Sequence, residues 1–225
     1  MSSSYTLYLH HLIDCEPLRW DDTGKALARR ASELEKSGGV LYGVWRSQIG
    51  QPRDTLNAIT AWRDKDAGLH TFAAVLKDTA LKDAGAVRSH VVTAMTSTLR
   101  PADATPPRRQ GNFAFRWSET PEAHWPEFLD LCEQAWPDFE SSYDSQVVGL
   151  WKVSDSTASD GIVRSLLMTR RPDLAMWERS KIPQGEREQA MRAKLNRRYD
   201  ICHSTYVYTT TLLTAEDRED KERWT

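Results

Sequence analysis

Long apolar runs are missing from this 225-residue chain. No stretch approaches the ~18 residues of a transmembrane helix, so neither a spanning segment nor a membrane partner is expected. Charge of one sign is missing too. Thirty Lys and Arg stand against 32 Asp and Glu, a formal net charge of −2. No field of that size draws the whole molecule to nucleic acid or an anionic membrane. Cysteine is scarce: Cys15, Cys132 and Cys202 are odd in number, far apart and without a CxxC spacing. They read as reduced thiols of a cytoplasmic protein, not as a disulfide frame or a zinc site. The N-terminal Met-Ser-Ser-Ser has neither a secretory apolar core nor an Arg-rich transit pattern. GxGxxG, GxxxxGK[ST], GxSxG and HExxH are all lacking, which leaves dinucleotide, P-loop, serine-hydrolase and zincin readings without support. Neither a metal nor a cofactor is expected.

What the chain has in quantity is tryptophan, nine residues of it, and alternating apolar strands. Tyr5 to Ile13 reads as a strand with Leu7, Leu9, His11 and Ile13 on one face and Tyr8 and His10 on the other. Asp21, Asp22 and Thr23 suit a helix start. Leu27, Ala31 and Leu34 form its stripe, and Gly38-Gly39 ends it. Val40 to Ile49 and Leu56 to Trp62 are strands joined by a Gly50-Gln-Pro-Arg-Asp54 turn. Leu69, Phe72, Ala73 and Leu76 mark a second helix, and Ala86 to Leu99 a long β run.

The same order then begins again. Three prolines between Pro101 and Gly111 predict a loosely packed linker. Asn112 to Trp117 is a strand, and Trp125, Phe128, Leu129 and Cys132 are a helix stripe. Ser145 to Val153 and Ile162 to Arg170 are strands. Leu174 to Arg198 is an interrupted helix, Ile201 to Leu213 a final strand, and a charged tail frays from Ala215. The two halves can be superposed. Val44-Trp45-Arg46 matches Leu150-Trp151-Lys152, and Asp64-Lys-Asp66 matches Arg171-Pro-Asp173. In that alignment Thr169 stands where the first half has Trp62, and the second half is expected to be a diverged copy without a working pocket.

The strand–turn–strand–helix run from Gly39 to Leu69 resembles the NIPSNAP family of the dimeric α+β-barrel proteins. The resemblance lies in the Trp45-Arg46 pair, the Ile49-Gly50 turn entry and the Trp62-Arg63 pair. It implies an α+β fold: tandem ferredoxin-like β-α-β-β-α-β repeats forming a pseudo-dimeric α+β barrel. The expected organisation is a first unit over residues 1–100, a linker over 101–111, a second unit over 112–214 and a tail over 215–225. It also implies a monomeric pseudo-dimer, or a higher homo-oligomer, that binds a small hydrophobic ligand.

Two functional classes follow. One is an enzyme on a hydrophobic, aromatic or carbonyl-bearing compound, of the cofactor-independent monooxygenase, isomerase or cyclase type. The other is a non-catalytic binding or interaction protein. For the enzyme, Arg46 is the candidate for orienting an anion, because a guanidinium presents planar donors. His10 and His90 are the candidate bases, with Tyr42, Trp62 and His70 against the substrate. The bland alternative is that the tryptophans fill the core while their basic neighbours are solvated. Haem is a third reading. Haem-degrading members of the superfamily combine a strand Trp with a His on the next helix, as in Trp62 and His70, and with an Asn on the first strand, which this chain lacks. The Arg187 to Arg198 run alternates with Glu and Gln and reads as a solvated helix face.

Overall fold

The computed structural model describes residues 5, 7–77, 86–155 and 160–218. The fold is α+β, with antiparallel strand pairing. Among the described residues, those up to Thr96, Asp103–Gln110 and those from Thr209 onward form one compact unit, and Ser97–Ala102 with Gly111–Tyr208 form a second.

The first unit runs β1 (Leu7–Cys15), α1 (Trp20–Arg29), α2 (Ala31–Lys36), β2 (Gly39–Ile49), β3 (Thr55–Trp62), α3 (Lys65–Leu76) and β4 (Val87–Ser97). β1 lies between β3 and β4, and β2 pairs with β3 on one side. On its other side β2 takes Thr209 to Leu212 of the final strand. The single helix expected before β2 is broken at Arg30, whose N–H is shared between the Ala26 and Leu27 carbonyls. Asp64 caps α3 by accepting from Ala67 N at 2.8 Å. Leu9, Ile13, Leu41, Val44, Ala58, Trp62 and Phe72 form the core on the helix side of this sheet.

The second unit repeats the order: β5 (Asn112–Pro121), α4 (Trp125–Ser142), β6 (Gln146–Val153), β7 (Ile162–Arg171), α5 (Leu174–Arg179), α6 (Gly185–Asp200) and β8 (Ser204–Leu212). β7 is paired with β5 and β6. Thr98 N donates to the Leu150 carbonyl and Leu150 N to that of Arg100, which extends the sheet beyond β6. Asp173 caps α5 through Met176 N at 2.7 Å. Phe128, Cys132, Ala135, Trp136 and Phe139 are the buried stripe of α4.

Two segments expected to be loose are held in the first unit. Asp103 O accepts from the Tyr8 hydroxyl at 3.0 Å. Glu216 N donates to Arg108 O, and the Asp217 carboxylate accepts from Gln110 N. Ala104, Ala215 and Arg218 are buried. The physical reason is backbone pairing: the linker and the tail satisfy each other's polar groups. Among the described residues no helix is long and apolar enough to cross a membrane.

Candidate functional site

Two tryptophans anchor the comparison of the units. Trp45 lies opposite Asn57, and Trp151 opposite Leu166. Each strand carries a register shift just before its Trp, between Leu41 and Gly43 and between Val147 and Gly149. Each indole folds over the glycine two residues earlier, where a Cβ would meet the ring at 2.5 Å in the first unit and 2.3 Å in the second. Counted along the strands from these anchors, Thr60 and Trp62 correspond to Thr169 and Arg171. The helix caps Asp64 and Asp173 agree with that count. Leu7 pairs with Trp62 and Asn112 with Arg171, so His11 corresponds to Arg116. The partner of Trp62 is therefore Arg171, and not Thr169 as the sequence alignment had it. The hairpin of the second repeat is longer, and only strand pairing shows where the extra residues go.

In the first unit the space between helix and sheet is filled. Trp62 is 1% exposed, and its ring lies where a Cβ on Gly68 of α3 would approach to 2.7 Å. Its Nε1 donates to Thr60 Oγ1 at 2.6 Å, and the same oxygen is 3.0 Å from His11 Nε2. His11 Nδ1 is 3.0 Å from His90 Nε2, and the His11 ring stacks on Phe72 at 3.5 Å. The network closes with one proton per bond when Thr60 donates to His11 and His11 to His90. Burial, then the neighbouring His90 and His10, hold His11 well below the usual imidazole range.

The residues expected to form the site are dispersed. His10 lies on the opposite face of β1 from His11, with Nε2 2.9 Å from Asn57 Oδ1. Burial pushes it down to about 4, against the opposing pull of that bond. His90 meets His11 and not His10. Tyr42 packs edge-on against Tyr8 at 5.6 Å. The register shift before Gly43 turns Tyr42 away from the face that Leu41 and Val44 share with Arg46. Trp62 is in the core, and His70 is exposed on α3. Arg46 stacks on Trp20 at 4.0 Å, beside an open cavity of about 560 Å³. Burial and Arg53 push its guanidinium down, while the carboxylates of Asp54 and Asp21 pull it back up.

In the second unit the corresponding space is open, which reverses the expectation that the diverged copy has no pocket. With Arg171 in place of the strand Trp, and Trp177 in place of the helix Gly, the large ring moves from the sheet to the helix layer. A cavity of about 330 Å³ remains between them. Arg116, Leu167, Thr169 and Arg171 line it from the sheet. Trp136 and Phe139 of α4, Trp177 of α5, and Arg192, Leu195, Arg198 and Tyr199 of α6 line it from the helices.

The electrostatics of this cavity are unusual. Arg171 is 6% and Arg198 5% exposed, yet among the described residues none of Arg116, Arg171, Arg192 and Arg198 forms an ion pair with a carboxylate. Their contacts are neutral. Arg171 Nη1 donates to Thr169 Oγ1 at 3.2 Å, Arg198 Nη1 to Cys132 Sγ at 3.4 Å, and Arg192 to the Ser180 carbonyl. Arg116 and Arg198 share the Tyr199 ring, at 5.2 and 5.6 Å from its centre. Arg171 lies 4.9 Å from the Phe139 ring. Burial, and then repulsion from Arg116, push the Arg171 guanidinium down to about 9, still charged at neutral pH. The Glu188 carboxylate that ties α6 to α5 is committed to Arg179 at 2.8 Å, and first through that bond it is pushed down to about 2. Buried charges without counter-ions are costly and rare, which makes this cluster the candidate functional site.

One signal for these residues was visible in the sequence. Met191, Leu195 and Arg198 are the buried positions of α6, at i, i+4 and i+7. Arg198 therefore continues an apolar stripe, whereas Arg187 and Arg197 face solvent and pair with Asp138 and Glu127. The solvated-face reading holds for the second pair and fails for Arg198. The donor set does not fit haem, whose iron takes a His, Cys, Met or Tyr ligand. The cavity lining has no His, Cys or Met, and Tyr199 is occupied by two guanidiniums. His70 is exposed and the space beneath α3 is filled. Among the described residues no group of three or more His, Cys, Asp or Glu could hold a metal ion.

No family model matches the chain, and no curated protein matches it. Solved structures do. An anthrone oxidase-like protein is 13% identical, covers 93% of this chain and 92% of its own, and superposes with a TM-score of 0.60. A chlorite dismutase from Candidatus Nitrospira defluvii is 9% identical, with 100% and 97% covered and a TM-score of 0.57. A protein of Fusobacterium nucleatum assigned as a monooxygenase is 8% identical, with 95% and 94% covered and a TM-score of 0.55. These likenesses show the fold, that of the dimeric α+β barrels built from ferredoxin-like units.

Proposed function

We propose that the chain is a small-molecule enzyme of the oxidase or monooxygenase type, acting on an aromatic compound held as its anion in the second unit's cavity. The observation that carries this reading is the set of four guanidiniums without carboxylates inside an aromatic-walled space. Such a site favours the ionised form of a phenol or enol, and each unit by which it lowers the ligand's pKa corresponds to about 1.4 kcal/mol. The ionised form is also the one that reacts with dioxygen without a metal. The ring carbon gives up two hydrogens and takes one oxygen atom, and the second oxygen leaves as water. The neighbours named as an anthrone oxidase-like protein and a monooxygenase support this class.

A second reading, a binding protein without turnover, is favoured by one specific observation. The cavity lining has no carboxylate or imidazole to accept the substrate proton. The test is oxygen uptake by the full chain with anthrone, a three-ring ketone that enolises to a phenol. Uptake with quinone formation, lost in Arg171→Gln, is the expected result. Binding without uptake assigns the chain to the second reading, and the absence of both overturns the first.

A further inference from the structure

The charge in this cavity exceeds what one anionic group can neutralise. Four guanidiniums line it, and the protein supplies no carboxylate to any of them. On the protein side even their inner nitrogens go unmet: Arg171 Nε and Arg192 Nε are buried with no hydrogen-bond partner. Compensation for these cations therefore has to come from the cavity side. Two of the four share one ring, and the other two have separate partners. Arg116 on β5 and Arg198 on α6 meet over the Tyr199 ring. Arg171 on β7 lies against Phe139 and Trp177, and Arg192 is anchored to the Ser180 carbonyl at the end of α5. The Arg116–Arg198 pair can clamp one carboxylate-like head and Arg171 a second, because planar guanidiniums take such groups in a bidentate manner. The rings and aliphatic side chains form the remaining wall.

We infer that the ligand is an aromatic dianion, with one acidic group held by Arg116 and Arg198 and the other by Arg171. This rests on the reading that the cavity binds an anion, and it adds the number and placement of the acidic groups. A ligand with one acidic group leaves either the Arg116–Arg198 pair or Arg171 without an anion; a ligand with two supplies one to each.

Calorimetric titration of the full chain with naphthalene-2,6-dicarboxylate, 2-naphthoate and 2-methylnaphthalene tests it. The expected result is that the dicarboxylate binds at least ~10-fold tighter than the monocarboxylate, and that the hydrocarbon does not bind measurably. Arg116→Gln and Arg171→Gln should each bring the dicarboxylate down to the affinity of the monocarboxylate. Arg198→Gln and Arg171→Met serve as second variants for the two arms should a first variant fail to fold, with melting temperature recorded for all four. Equal affinity of the two acids would overturn the inference and leave the anion site standing. Binding of neither acid would overturn the anion site itself.

Discussion

Trp62 and Arg171 hold the same position in two copies of one sheet, at the end of the second hairpin strand and opposite the first residue of the first strand. In one copy the position closes the space under the helices; in the other it opens that space and charges it. The exchange is reciprocal, since the helix residue facing Trp62 is Gly68 and the one facing Arg171 is Trp177.

Arg171→Met is expected to raise stability and abolish anion binding together. The guanidinium is buried without a counter-charge, and an apolar side chain of similar length removes that desolvation cost, a gain of about 1–3 kcal/mol. Urea unfolding and ligand titration on the same variant check both halves. Lower stability with unchanged binding would make Arg171 a structural residue.

In the first unit the same position should respond in the opposite way. Trp62→Ala leaves a cavity in a packed core and is expected to cost about 3–5 kcal/mol. Gly68→Ala forces a methyl group toward the indole and should cost about 1–3 kcal/mol. Neither should change ligand affinity in the second unit by more than a factor of two. Denaturant midpoints and one titration per variant decide the matter.

Acid should weaken the protein well above the carboxylate range. His10 is folded with a depressed pKa of about 4, so between the unfolded-state value near 6.5 and that value the unfolded chain binds the proton and the native state does not. The stabilisation is complete above about pH 6.5, falls as pH drops toward 4, and amounts to about 3 kcal/mol. His11, also depressed by burial, acts in the same direction. His10→Gln keeps a neutral partner for Asn57 and cannot titrate, so the fall in melting temperature between pH 6.5 and 4.5 should be visibly smaller. An identical pH dependence in the variant would place the effect elsewhere.

A fragment ending at Leu99 is expected not to fold cooperatively by itself. It lacks Thr209 to Leu212, which pair with β2, and Asp103, whose carbonyl accepts from Tyr8. A fragment of 1–99 that unfolds in one sharp monomeric transition would contradict this. Adding residues 103–110 and 209–218 through a short Gly-Ser link is expected to restore the transition.

Much of the architecture was legible in the chain. Period-two apolar strands, capped helices and the repeated Trp-basic dipeptide are local properties, and local sterics and burial suffice to produce them. They led to two ferredoxin-like units and to the correct face for His11. The site was not legible in the same way. Tyr42 was expected in one site with Arg46, but a single-residue register shift reverses which face a side chain takes. Arg171 was aligned two residues away from its true counterpart because only cross-strand pairing locates an insertion. Arg198 was read as solvated, since a charge on a helix shows no partner until the sheet beneath it is placed. Sequence by itself determined which segments are strands and helices and that the order occurs twice. Tertiary structure alone decided which copy is filled by an indole and which holds four guanidiniums around a cavity. Burial and the lack of a counter-ion are relations between distant residues, and no local pattern encodes them.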